Sequence, residues 1–206
     1  MFDSFEKKFT QDSKTQCVKL KKYCKTFIDG NDSIEFFFNK FEGVSFNNGS
    51  YRIFRIGNLN EWDNTISETF PRFANLINCF AYDWLGKIFA VNKIDSNQIL
   101  IFDIGIGNVL EVPVGFEEFH NKELVEYTDD ALSISFYKKW LDSSENKIPK
   151  TDECIGYKVP LFLGGIDNVT NLEVINMDVY WNITGQILRK IQNLPDGTPI
   201  NKINIE

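Results

Sequence analysis

Few side chains in this sequence have the types and spacing that catalysis or metal binding needs. His120 is the lone histidine, set in Phe-Glu-Glu-Phe-His-Asn. No serine in a GxSxG elbow accompanies it, so it reads as a polar surface or capping residue. Cys17, Cys24, Cys79 and Cys154 form no CxxC pair. A zinc site would have to gather ligands from widely separated places, and the thiols read as reduced and mostly buried. Asp83, Asp103, Glu111 and Asp178 are candidate carboxylates for acid–base work, but nothing in their spacing fixes a pair. Asp83 beside a turn and Asp178 at a helix start have local roles instead. Gly105-Ile106-Gly107-Asn108 starts like a dinucleotide loop, lacks the third glycine and precedes a strand, which makes it a hairpin turn. Gly164-Gly165 has neither the Lys-Ser/Thr pair nor the following helix of a phosphate loop. It marks backbone that needs positive φ or close approach. No catalytic residue, cofactor or metal is expected.

Two groups remain. Trp84, Tyr157, Lys158, Tyr180 and Trp181 are denser in aromatic and charged groups than a plain core needs. They either line a small-ligand pocket or pack as core with polar tips at the surface. Glu117, Glu118, Glu123, Glu126, Asp129 and Asp130 form an acidic stretch. It is either a solvated face or a surface that steers a basic partner.

The elements that position these residues can be read from periodicity. Asp32 and Glu35 have capping-box spacing, and Ile34, Phe37, Phe38 and Phe41 share one helical face, with Gly43 as the stop. A strand is expected over Tyr51 to Ile56. A short helix capped by Asn60 follows, carrying Trp62, Ile66 and Phe70 and ended by Pro71. From about 78 to 113 the texture is a meander of four short strands, with Phe80, Tyr82 and Trp84 on one face and turns at Leu85-Gly86, Asp95 to Asn97 and Gly105 to Asn108. The apolar run of the third, QILIFDI, suggests a central position. One or two helical turns between Phe116 and Tyr127 lead to a longer helix from Thr128, with Leu132, Phe136 and Trp140 inward. A polar loop and an extended segment broken at Pro160 and Gly164-Gly165 precede a final helix near Asp178, burying Tyr180, Ile183, Ile187 and Ile191. This is an α+β pattern with an antiparallel or mixed sheet flanked by helices.

Composition narrows the class. The chain has 206 residues, 43% hydrophobic and 25% charged, with 19 Phe, 7 Tyr and 4 Trp, enough apolar area for a sizeable core. The formal net charge is −7, which disfavours nucleic acid as a direct ligand. No apolar run reaches the length of a membrane span, and MFDSFEKKFTQDSKTQ has no signal-peptide core, so a cytoplasmic address and no membrane partner are expected.

Three segments carry a resemblance: FAYDWLGKIFAV (Phe80 to Val91), VLEVPVGFEEFHNKELVEYTDDALSISFYKKWL (Val109 to Leu141) and ECIGYKVPLFLGGIDNVTNLEVINMDVYWNITGQIL (Glu153 to Leu188). Together they resemble the C-terminal domain of a bacterial type VI secretion immunity family, which includes protection against a secreted DNase. Members often carry a GAD-like N-terminal domain, to which residues 30–75 are weakly similar. A distant likeness to the SUKH immunity superfamily would fit a sheet flanked by helices. The resemblance implies a GAD-like region over 1–75 and an immunity-type domain over 76–206, packed as one unit. It implies a non-enzymatic inhibitor that occludes a cognate, basic toxin, a nuclease among the candidates. The acidic stretch is then the expected toxin surface.

Overall fold

The protein is seen in a computed structural model that describes residues 1–12, 32–145, 147–192, 194, 195 and 198. Its frame is a six-stranded sheet in which each strand pairs antiparallel with the next in sequence. The strands are β1 (Ser45–Phe46), β2 (Tyr51–Ile53), β3 (Ile77–Asp83), β4 (Ile88–Asn92), β5 (Ile99–Asp103) and β6 (Asn108–Val112). The sheet runs unbroken across residue 75, because Tyr51 of β2 pairs with Asp83 of β3. β5 is buried along its apolar run but lies next to the edge; β3 and β4 occupy the centre.

Phenylalanines cover one face. α1 (Asp3–Lys8) brings Phe5, flanked by Phe2 and Phe9, and α2 (Asp32–Phe41) brings Phe37 and Phe41. Phe5 meets Phe46 and Tyr51 of the sheet region, Tyr51 in turn meets Phe89, and Phe37 reaches Phe80 through Phe116. The expected α2 stripe of Ile34, Phe37, Phe38 and Phe41 is fully buried, and Gly43 follows at φ 68°. On the other face α3 (Leu59–Thr69) packs against β3 and α8 (Met177–Ile191). A two-stranded sheet, β7 (Glu153–Tyr157) with β8 (Leu172–Asn176), is tied to the end of β3 by the Ile155 N–H, which donates to Trp84 O at 2.7 Å.

Several local expectations shift. Phe80 and Tyr82 do not share a face. The β3–β4 register slips between Cys79 and Ala81, so Phe80 meets Phe116 and Phe119 while Tyr82 stacks on Phe54. α3 begins after Asn58, two residues ahead of Asn60. The helix expected from Thr128 breaks in two, α6 (Thr128–Leu132) and α7 (Ile134–Ser143), because Ser133 adopts left-handed φ 51°. Thr128 Oγ1 donates back to Leu124 O rather than capping. α8 buries Tyr180, Trp181, Thr184, Gly185 and Leu188, and leaves Ile183 exposed. Gly185 sets this rotation: a Cβ there would lie 2.7 Å from Thr69 Oγ1 of α3, so the smallest residues face the contact.

Candidate functional site

The acidic stretch lies on α4 (Phe116–Glu118), a π-type turn (Phe119–Glu123), α5 (Leu124–Glu126) and α6. Phe116, Phe119, His120, Leu124 and Leu132 point inward and are buried. That leaves Glu117, Glu118, Glu126, Asp129 and Asp130 exposed and Glu123 half-buried. Glu118 is partly offset by Lys122, 3.3 Å away, an exposed pair worth at most about 1 kcal/mol. Asp129 has a structural role. Its Oδ1 accepts the Ser135 N–H at 2.6 Å, which holds its carboxyl below the usual range and caps α7, where Ser133 cannot. The run is therefore a charged outer surface over an aromatic underside, with one member tied to the fold.

The aromatic group is part of the core. Trp84 and Trp181 are fully buried, and Tyr157 and Tyr180 nearly so. Their polar atoms are already bonded: Trp84 Nε1 donates to Leu132 O at 2.7 Å and Trp181 Nε1 to Gly86 O at 2.8 Å. The Tyr157 N–H donates to the Tyr180 hydroxyl at 3.3 Å, and the Tyr157 hydroxyl donates to Asp167 Oδ1 at 2.7 Å. These bonds strap the Leu85-Gly86 turn to α8 and to α6, and Gly86 sits there at φ 81°. Lys158 alone is exposed, its Nζ donating to Thr170 O.

His120 is buried, contrary to the surface reading. Its Nδ1–H donates to Phe116 O at 2.8 Å, so Nε2 accepts the Tyr51 hydroxyl at 3.0 Å. Burial among phenylalanines lowers its pKa to about 3. The signal was available: His120 stands four residues after Phe116 in a helical pattern, on the same inward face.

The carboxylates separate. Asp83 is fully buried; its Oδ1 accepts the N–H groups of Leu85 and Lys87, both at 2.9 Å, and Lys87 Nζ lies 3.9 Å from Oδ2. Burial pushes its pKa up to about 7, against the pull of Lys87. Burial also raises the Asp103 carboxyl, which accepts the Ile106 N–H in the β5–β6 hairpin. Glu111 is exposed on β6 and accepts from Gln98. Asp178 is exposed in the first turn of α8, whose cap is Asn176 instead. Arg52, absent from the sequence reading, is 2% exposed. It donates to the carbonyls of Pro149 and Glu153 at 2.5 and 3.0 Å, and its Nε has no partner. Among the described residues no three His, Cys, Asp or Glu side chains gather as a metal site. Cys79 and Cys154 are buried free thiols; Cys17 and Cys24 lie outside the described residues. No helix among the described residues is long and apolar enough to cross a membrane. Gly107 turns the hairpin at φ 74°, and Gly165 lets the chain approach itself, since a Cβ there would fall 1.9 Å from Val159 O.

Residues 115–188 match the model of the family described as T6SS immunity protein Tdi1, C-terminal. The match leaves the GAD-like resemblance of residues 30–75 and the SUKH likeness resting on sequence alone. Among solved structures, the crystal structure of Atu4351 from Agrobacterium tumefaciens aligns with TM-score 0.58 at 13% identity, covering 90% of this chain and 89% of that one. At that identity the likeness is one of fold. No curated protein matches the chain.

Proposed function

Taking residues 115–188 as an immunity-type domain, we propose that this chain binds and neutralises a cognate secreted bacterial toxin, covering the toxin's active site rather than acting chemically on it. The family match over those residues is the main support. It spans the helical run that presents Glu117, Glu118, Glu126, Asp129 and Asp130 to solvent. A single-sign surface of this kind raises encounter rates with a basic partner and rejects acidic ones. A nuclease is the natural candidate, because a cleft built for phosphates is basic. The small-ligand alternative finds no comparable support, since Trp84, Tyr157, Tyr180 and Trp181 are buried with their polar atoms bonded.

The test reverses Glu117, Glu118, Glu123 and Glu126 to Lys and leaves Asp129, which caps α7, in place. The variant is expected to keep its circular dichroism and to associate with the toxin of the adjacent reading frame about tenfold more slowly at low salt, with a flattened salt dependence. An unchanged on-rate and salt slope moves the interface elsewhere. Failure of the unaltered pair to bind at micromolar concentration overturns toxin binding itself.

A further inference from the structure

A cleft of about 300 Å3 opens at a seam between distant parts of the chain, residues 43–62 and 151–178, with Tyr82 between them. Its floor is a stack of rings. Phe54 lies between Trp62 and Tyr82, with centroids 5.5 and 4.7 Å away and interplanar angles of 26° and 28°. Ile53 and Met177 complete the apolar lining. The rim is exposed and carries Glu61, Asp152 and Asp178 against one cation, Arg55. Arg55 is held at one wall, its Cγ 3.3 Å from where a Gly43 Cβ would stand.

The three carboxylates have no ion-pair partner among the described residues. Local structure does not require them. Asn176 Oδ1 accepts the Val179 N–H and caps α8 without Asp178. Thr151 contributes its carbonyl, which accepts the Tyr82 hydroxyl at 2.8 Å and fixes that ring at the bottom of the cleft. Burial raises the Tyr82 phenol pKa; the Arg52 guanidinium opposes the rise and the Asp152 carboxylate adds to it.

Carboxylates above stacked rings are the chemistry that recognises a planar cation. The carboxylates accept the forked N–H donors of a guanidinium, and the aromatic floor packs against its alkyl stem. The fold already places one guanidinium beside this stack: that of Arg52 lies 5.7 Å from the centre of the Tyr82 ring. Buried aromatic groups within a charged rim are also where interface energy concentrates, with arginine among the commonest anchors.

We propose that the seam cleft takes an arginine side chain of the toxin as an anchor. The inference rests on the toxin-binding reading and gives it a second contact, separate from the acidic helical run. The binding site itself can be tested without the toxin. N-acetyl-arginine methylamide, titrated into the full chain, is expected to shift the indole N–H signal of Trp62 saturably in the millimolar range. The signal is assigned by its loss in Trp62→Phe. N-acetyl-citrulline methylamide, with the same shape and no charge, is expected to leave it in place. The triple variant Glu61→Gln, Asp152→Asn, Asp178→Asn changes only exposed positions and is expected to fold and to lose the arginine response. Asp152→Asn alone leaves α8 untouched and is expected to weaken it severalfold. Equal shifts with citrulline, or an undiminished arginine response in the triple variant, overturns the proposal. With the toxin, the triple variant is expected to bind at least tenfold more weakly. Unchanged affinity in a pair that otherwise binds overturns the anchor while leaving the immunity reading intact.

Discussion

Two sites bury charged or titratable side chains against this sheet, and the fold treats them differently. His120 sits among Phe2, Phe5, Phe37, Phe80, Phe116 and Phe119 with both ring nitrogens bonded. Asp83 and Arg52, near the junction with β7, each keep one buried atom without a hydrogen bond, Oδ2 and Nε. The first site is closed: the imidazole is neutral and fully satisfied, and it gives an otherwise uniform cluster of rings one fixed arrangement. The second is open: a carboxyl and a guanidinium are held by backbone amides and carbonyls rather than by each other. A satisfied buried polar group costs little to keep, whereas an incompletely satisfied one carries its desolvation penalty in the folded state.

The largest effect is expected at the closed site. His120→Ala empties a ring-sized space among phenylalanines and strands the Tyr51 hydroxyl. A loss of about 3 kcal/mol should appear in urea unfolding, by the scale of buried aromatic truncations. Tyr51→Phe keeps the packing and removes only the donor to Nε2, so a smaller loss of about 1–2 kcal/mol is expected. A loss in Tyr51→Phe as large as in His120→Ala would mean that the hydrogen bond, not the ring, organises the cluster.

The finest comparison is in pH. The folded pKa of His120, about 3, lies below the ordinary 6.5, so its contribution is full above pH 6.5 and is lost as pH falls toward 3. The folded pKa of Asp83, about 7, lies above the ordinary 3.8, so the penalty of its charge is absent at low pH and grows as pH rises from about 4 to 7. The two slopes oppose each other between pH 4 and 6.5. Asp83→Asn keeps the shape and removes the charge, and its urea midpoint should rise more steeply with pH across that window than that of the unaltered protein. His120→Gln should do the reverse. Parallel curves for all three would show that neither group titrates as its burial implies.

Much of this frame was readable from sequence, for physical reasons that differ by element. The α2 stripe is long and periodic, so burial follows from spacing, and the Gly105 to Asn108 turn carries its own backbone signal. β8 was missed because Leu172 to Asn176 is a five-residue strand whose one partner, β7, lies across an irregular loop. The α8 face was misjudged because Ile183 outranks Thr184 and Gly185 in hydrophobicity, while the contact with Thr69 selects for size. Arg52 was passed over because an arginine between Tyr51 and Ile53 reads as an outward strand position, and only the fold brings Pro149 and Glu153 over it. The seam cleft has no sequence signature at all, since its walls come from segments some hundred residues apart.

The order of the strands bears on how the chain reaches this state. Because β1 to β6 pair strictly with their sequence neighbours, each addition to the sheet closes a comparatively short stretch of chain, the arrangement that keeps contact order low and folding quick. During synthesis from the N-terminus all six strands have emerged by residue 112, ahead of the 115–188 segment. What arrives late is long-range: α8 against α3, and Glu153 over Arg52, 101 positions away in sequence. The seam and its cleft are therefore among the last features to assemble, and a chain stalled before them would hold a formed sheet with the cleft unfinished.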